Sequence, residues 1–216
     1  MTHTLTQLTL LSLFLVVRAT ALGTQPFKPV VTGEINTDPI KELDHLEPFH
    51  GKVPLPEDYY LAQYFEAPAL ADQANYLIVL RTKDGRYLVR LSKTAHDKFP
   101  TEAPTPDKEI EIPESLASVI YDLWVNALLE VRYERRQHGG LDGELYYFST
   151  FVTSLGWMHG YTWSPGGDLP PVWMMEAGKK LVAFAHDEKR SATAIEGELT
   201  VLRNKLFRYI KAHGKH

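Results

Sequence analysis

Asp142 and Glu144 stand two residues apart, and His159 follows in the same stretch of chain. Two carboxyl groups are the minimal equipment for hydrolysing a glycoside. One protonates the leaving oxygen and the other acts as base or nucleophile across the scissile bond. A nearby histidine would add a group that titrates close to neutral pH. The spacing works against this chemistry. Residues i and i+2 of a strand point to the same side, whereas the two carboxyls must flank a bond. Asp142 also lies in Leu141-Asp142-Gly143, a setting in which aspartate favours a turn. Turn formation by Asp142 and a solvated charge at Glu144 are the plainer readings, and we favour them over catalysis.

The surrounding segment, GGLDGELYYFSTFVTSLGWMHGYTWSPGG at 139–167, holds seven of the chain's fourteen glycines and seven aromatic residues. Turns and a helix stop account for most of the glycines. Large rings most often pack in a core. An interaction surface is the next reading, because Trp and Tyr give contact area at low entropic cost. A sugar-binding or catalytic groove comes third. If the segment binds, the candidates are Tyr147, Trp157, His159, Tyr161 and Trp163, with Asp142 and Arg135 at the rim. The basic run RYERRQH at 132–138 suits a helix C-terminus better than an anion site.

Several chemistries lack their residues. There is no Walker loop, no dinucleotide-binding glycine pattern, no G-x-S-x-G elbow, no S-x-x-K and no H-E-x-x-H. The nine histidines are spread singly, and cysteine is absent, so neither a zinc site nor a thiol nucleophile is expected. No cofactor is implied. The net charge of −4 gives no basic excess for nucleic acid.

The elements that would position these residues follow from patterning. Asp84-Gly85 in NYLIVLRTKDGRYLVRLS reads as a two-residue type I′ hairpin turn. That register places Thr82 opposite Tyr87, Leu80 opposite Val89 and Ile78 opposite Leu91. Tyr60, Leu61, Tyr64 and Phe65 fall at helical spacing, so 57–65 reads as a short helix. Ile110 and Ile112 alternate with charges, as in a brief edge strand. A long helix opens near Pro113, with Leu116, Ile120, Leu123 and Ala127 on one face, and Gly139-Gly140 stops it. Leu145–Val152 is apolar on both faces and should be covered on both sides, with 157–163 returning as its partner. Asp168 is the expected cap of the next helix, with Pro171 in its first turn. A last helix carries Ile195, Leu199, Leu202 and Leu206 as its stripe.

The sum is an α+β fold. A small antiparallel sheet (the hairpin at 75–92 plus strands within 144–163) packs against three helices at about 114–136, 170–186 and 192–213. Residues 57–216 would form this one domain. Residues 22–56 carry six prolines and read as an extended arm or linker that can strap over the domain. Residues 1–21 read as a signal peptide. Leu8–Val17 is an apolar run too short to span a bilayer, and Ala19-Thr20-Ala21 fits a cleavage site. The polarity is unusual, with Arg18 after the run and no Lys or Arg before it.

Gly140-Leu141-Asp142-Gly143-Glu144-Leu145-Tyr146-Tyr147-Phe148-Ser149, followed by Thr162-Trp163-Ser164-Pro165, resembles a pattern in small uncharacterised exported bacterial proteins. The resemblance covers about 115–185 and implies export without implying an activity. The function expected from these readings is a periplasmic or secreted, non-enzymatic protein that binds another macromolecule, as an inhibitor or immunity-type protein does. A protein partner is expected first and a cell-wall glycan second, with no transmembrane segment after signal cleavage. The alternative is a cell-wall or polysaccharide hydrolase using Asp142 and Glu144, with His159. A structural envelope component assembled through the arm is a third class.

Overall fold

A computed structural model describes residues 59–68, 71–95, 104–130, 143–187 and 189–213. The fold is α+β. In chain order the elements are β1 (Tyr59–Ala67), β2 (Gln73–Arg81), β3 (Tyr87–Ala95), β4 (Lys108–Ile112), α1 (Glu114–Leu129), β5 (Leu145–Val152), β6 (Gly156–Trp163), α2 (Pro170–His186) and α3 (Ala192–His213). The strands form one antiparallel sheet in the order β4-β3-β2-β1-β5-β6. The first four strands are a meander that grows outward from β1. The connection through α1 then brings β5 back to the other side of β1, so the last hairpin extends the opposite edge.

Six strands make the sheet larger than the small one expected. The difference comes mainly from β1. Helical spacing at 57–65 is misleading, because every residue from Tyr60 to Ala67 is buried. A strand covered on both faces shows no period of two, so its apolar residues fit a helical template equally well. Opposite β2, the pairing shifts between Tyr60 and Ala62. The extra residue, Leu61, joins Ala62 and Tyr64 in the helix-side core.

The β2–β3 register is one residue away from the expected one. Leu80 pairs with Leu88, Val79 with Val89 and Leu77 with Leu91. The turn explains the slip. The Thr82 amide donates to the Arg86 carbonyl at 2.8 Å, and the Gly85 amide donates to the Thr82 carbonyl at 3.0 Å. Only Gly85 has a positive φ, +87°. This is a three-residue loop with glycine in the left-handed position, not a two-residue type I′ turn. One added loop residue moves every pair by one and exchanges the faces.

The described helices all pack on one side of the sheet. Leu116, Ile120, Leu123, Trp124 and Ala127 of α1 are buried there, with Met174, Ala177, Leu181 and Phe184 of α2 and Ile195, Leu199, Leu202 and Leu206 of α3. These stripes are the ones the sequence predicts. The bounds of α2 and α3 also agree with expectation, while α1 ends at Leu129 and 131–142 lie outside the described residues. Leu169, not Asp168, precedes the first turn of α2, with proline at its opening positions and no side-chain cap. Asp168 instead accepts the Trp173 indole N–H at 2.7 Å and pairs with Lys205 of α3. It ties the start of α2 to α3.

Candidate functional site

The β5–β6 register decides where the candidate residues meet. Leu145 pairs with Trp163, Tyr147 with Tyr161, Ser149 with His159 and Phe151 with Trp157. Alternation places these eight side chains on the sheet face opposite the helices. Tyr147 belongs to that second core cluster, and Leu145, Trp157 and Tyr161 pack against it. Met158, between two of the rings, packs in the helix-side core. Five of the predicted binding residues therefore share one surface: Tyr147, Trp157, His159, Tyr161 and Trp163.

They are not equivalent. Tyr147 is 0% exposed, whereas Trp157, His159, Tyr161 and Trp163 on the edge strand are half-buried. The His159 ring stacks between Tyr147 at 5.8 Å and Trp157 at 6.0 Å. Phe151 meets Trp157 edge-on at 5.5 Å. The result is a row of partly buried planar groups along β6. Trp163 lies against the start of β5, where a Cβ on Gly143 would fall inside its indole.

A short polar row crosses beneath the rings, and sequence reasoning missed it. Ser149 donates to the Gln63 side-chain carbonyl, and the Tyr147 hydroxyl shares a hydrogen bond with His159 Nδ1. Gln63 and Ser149 are 1% and 0% exposed. Burial raises the Tyr147 pKa above its ordinary value, with Ser149 opposing, so the phenol stays protonated. Ser149 faces His159 across the strand pair, but its hydroxyl proton is directed to Gln63. The pair is thus not arranged as nucleophile and base, which requires a hydrogen bond between them. The sequence signal was only the two small hydroxyl residues, Ser149 and Thr150, inside an aromatic strand.

Glu144 lies on the other side of the sheet. Its carboxylate accepts the Tyr146 hydroxyl and pairs with Lys179 of α2 at 3.2 Å. Lys179 also reaches Glu66 of β1 at 3.5 Å and lies 5.1 Å over the Tyr146 ring. Asn75 donates to the second Glu66 oxygen at 3.3 Å. Two carboxylates from neighbouring strands thus share one ammonium. The Tyr146 hydroxyl first, then Lys179, holds Glu144 below the usual glutamate range, against some desolvation. Burial and Glu144 push Tyr146 up to about 12. Burial opposes the Lys179 charge, but Tyr146, Glu144 and Glu66 outweigh it and raise its pKa. A carboxylate held in this way remains ionised, and a lysine so held remains protonated. Neither is poised to exchange a proton near neutral pH.

The sheet therefore does not bring Glu144 and His159 together. Asp142 and Arg135 lie outside the described residues. Among the described residues there is no cluster of His, Asp and Glu that could hold a metal ion. No described helix is long and apolar enough to cross a membrane. No family model, curated protein or solved structure matches the chain.

Proposed function

We propose that this is a non-enzymatic binding protein, exported to the periplasm or beyond, whose partner macromolecule docks on the β6 side of the aromatic face. One observation carries the reading. Trp157, His159, Tyr161 and Trp163 are half-buried at alternate positions of an edge strand that contains no Lys, Arg, Asp or Glu. Partly exposed rings carried on a paired strand are preorganised contact area, and such residues dominate binding energy when a partner completes their burial. The other edge strand, β4, has the opposite character. Its sequence KEIEI carries Lys108, Glu109 and Glu111, the charges that discourage association at a sheet edge. The engagement of Glu144 by Tyr146 and Lys179 favours binding over the hydrolase reading. Export rests on the apolar run at 8–17 and the small residues at 19–21.

The test uses residues 22–216 as bait in a native envelope extract, beside Trp157→Ala and Tyr161→Ala variants shown by circular dichroism to be folded. A protein bound in fixed ratio by wild type and lost by both variants supports the reading. Retention on cell-wall glycan, lost in the same variants, would make the partner a polysaccharide. Equal capture by all three proteins would remove the aromatic row from the interface.

A further inference from the structure

Leu129, Leu155, Val201 and Phe207 are the large hydrophobic side chains exposed among the described residues. Three of them have a charged neighbour within two positions, namely Glu130, Arg203 and Arg208, and single apolar residues scattered among charges are ordinary surface. Leu155 differs. It is 60% exposed, and no Asp, Glu, Lys or Arg occurs from 145 to 167. Its turn, Thr153-Ser154-Leu155, is exposed throughout and is closed by the Leu155 amide, which donates to the Val152 carbonyl at 2.9 Å. Behind the turn stand four partly buried rings from four elements: Tyr59 of β1, Tyr121 of α1, Phe151 of β5 and Trp157 of β6. Phe151 meets Tyr59 edge-on at 5.7 Å and Trp157 at 5.5 Å. The Tyr59 and Tyr121 hydroxyls donate to the Phe151 carbonyl at 3.0 and 3.4 Å.

We propose that the β5–β6 turn dips into the surface of a lipid bilayer, with Leu155 at the acyl boundary and the four rings at headgroup level. The order along the hairpin is that of an interfacial anchor. An apolar apex comes first, then amphipathic rings, which favour the membrane–water boundary because one end is apolar and the other polar. The depth fits. Leu155 lies two residues beyond Trp157, roughly 7 Å at a strand rise of about 3.4 Å, and interfacial segments bury their apolar side about 5–10 Å deep. The missing charge favours lipid over a protein. A protein interface carries a polar rim, whereas an ionised group in the acyl layer is costly. The β2–β3 turn, with Lys83, Asp84 and Arg86, leaves the same end of the sheet. Three strand spacings separate the two hairpins, and neighbouring strands rotate by about 20–25°, so the hairpins diverge and only the uncharged one enters. Adhesion through apolar area needs no anionic lipid and resists salt.

The chain has no cysteine, so Ser154→Cys in the full chain can carry one environment-sensitive fluorophore, with Val201→Cys on α3 as the control. Each labelled protein is mixed with phosphatidylcholine vesicles, with and without phosphatidylglycerol, at low and high salt. The label at 154 should shift to the blue and be quenched by lipid-borne nitroxides under all four conditions, while the label at 201 stays in water. Adding Leu155→Asp to Ser154→Cys should abolish both signals, with circular dichroism showing that the fold is intact. A label at 154 that stays in water, an equal shift at 201, or signals that survive Leu155→Asp overturn the proposal. A shift confined to phosphatidylglycerol and lost at high salt also overturns it, because attachment would then run through cations elsewhere. So does a shift that grows with protein concentration without vesicles, which makes the turn a contact between copies. No partner protein is present, so the outcome does not depend on whether the β6 rings bind one.

Discussion

The ring of Tyr64 occupies the space into which a side chain at Gly178 would project, because α2 crosses β1 at that point. Tyr64 stacks on Tyr146 at 6.3 Å and meets Phe148 at 5.5 Å, so it has little room to yield. Gly178→Ala should therefore overpack the interface and cost about 1–3 kcal/mol, read as a lower denaturant midpoint at unchanged m. The Tyr64 hydroxyl is buried with no hydrogen-bond partner. Tyr64→Phe removes that unsatisfied group and should be neutral or stabilising; a loss above about 2 kcal/mol would mean that the hydroxyl makes a bond. Glu144 gives the pH prediction. Its folded pKa lies below the ordinary 4.5. Its contribution is then present above the unfolded value and is lost as pH falls through the folded one. The side chain is 42% exposed, so the contribution is at most about 1 kcal/mol. The stability gap between wild type and Glu144→Gln should be open at pH 7 and shrink as pH falls below the ordinary glutamate range. A gap unchanged across that range would refute the assignment.

At the scale of elements, the long helices and the β5–β6 hairpin were legible and the β2–β3 turn was not. The α2 and α3 stripes recur at three and four residues, and each has one buried face, which is the condition under which periodicity carries information. Asp84-Gly85 was ambiguous because a two-residue and a three-residue loop both place a glycine where φ is positive. Arg86 separates them, since its carbonyl receives the Thr82 amide and its guanidinium reaches Asp84 at 2.7 Å. Gly85 is the residue that this loop needs. Gly85→Ala puts a side chain at φ +87° and should cost about 1–2 kcal/mol. The β2–β3 pairing should survive, which cross-strand contacts between Leu80 and Leu88 would report by NMR. The candidate site was half legible for the same reason. Alternate rings at 157, 159, 161 and 163 can be read directly from the sequence. Gln63 and Lys179, which complete the two polar networks, come from distant elements that only the register and the α2 packing bring in.

For the whole molecule, the decisive feature is a sheet that is buried on both sides. It explains why β1 and β5 show no alternation, why β1 reads as a helix, and why Glu144 and His159 end up apart despite belonging to one short segment. It also gives the sharpest stability test. Leu77 lies in the helix-side core and Leu80 in the opposite cluster, three residues later on the same strand, and both are 0% exposed. A sheet covered by helices alone would make Leu80 a solvent-face residue, and Leu80→Ala would then change stability by no more than about 0.5 kcal/mol. With both faces closed, Leu77→Ala and Leu80→Ala should each cost about 2–5 kcal/mol, since each leaves a cavity in a packed layer. Chemical denaturation of the two variants beside wild type decides between these cases. Equal large losses mean that the second face is a core in its own right. In that case the half-buried rings of β6 are the margin of that core, held rigid from beneath by Tyr147 and Phe151, and that support keeps them oriented for a partner.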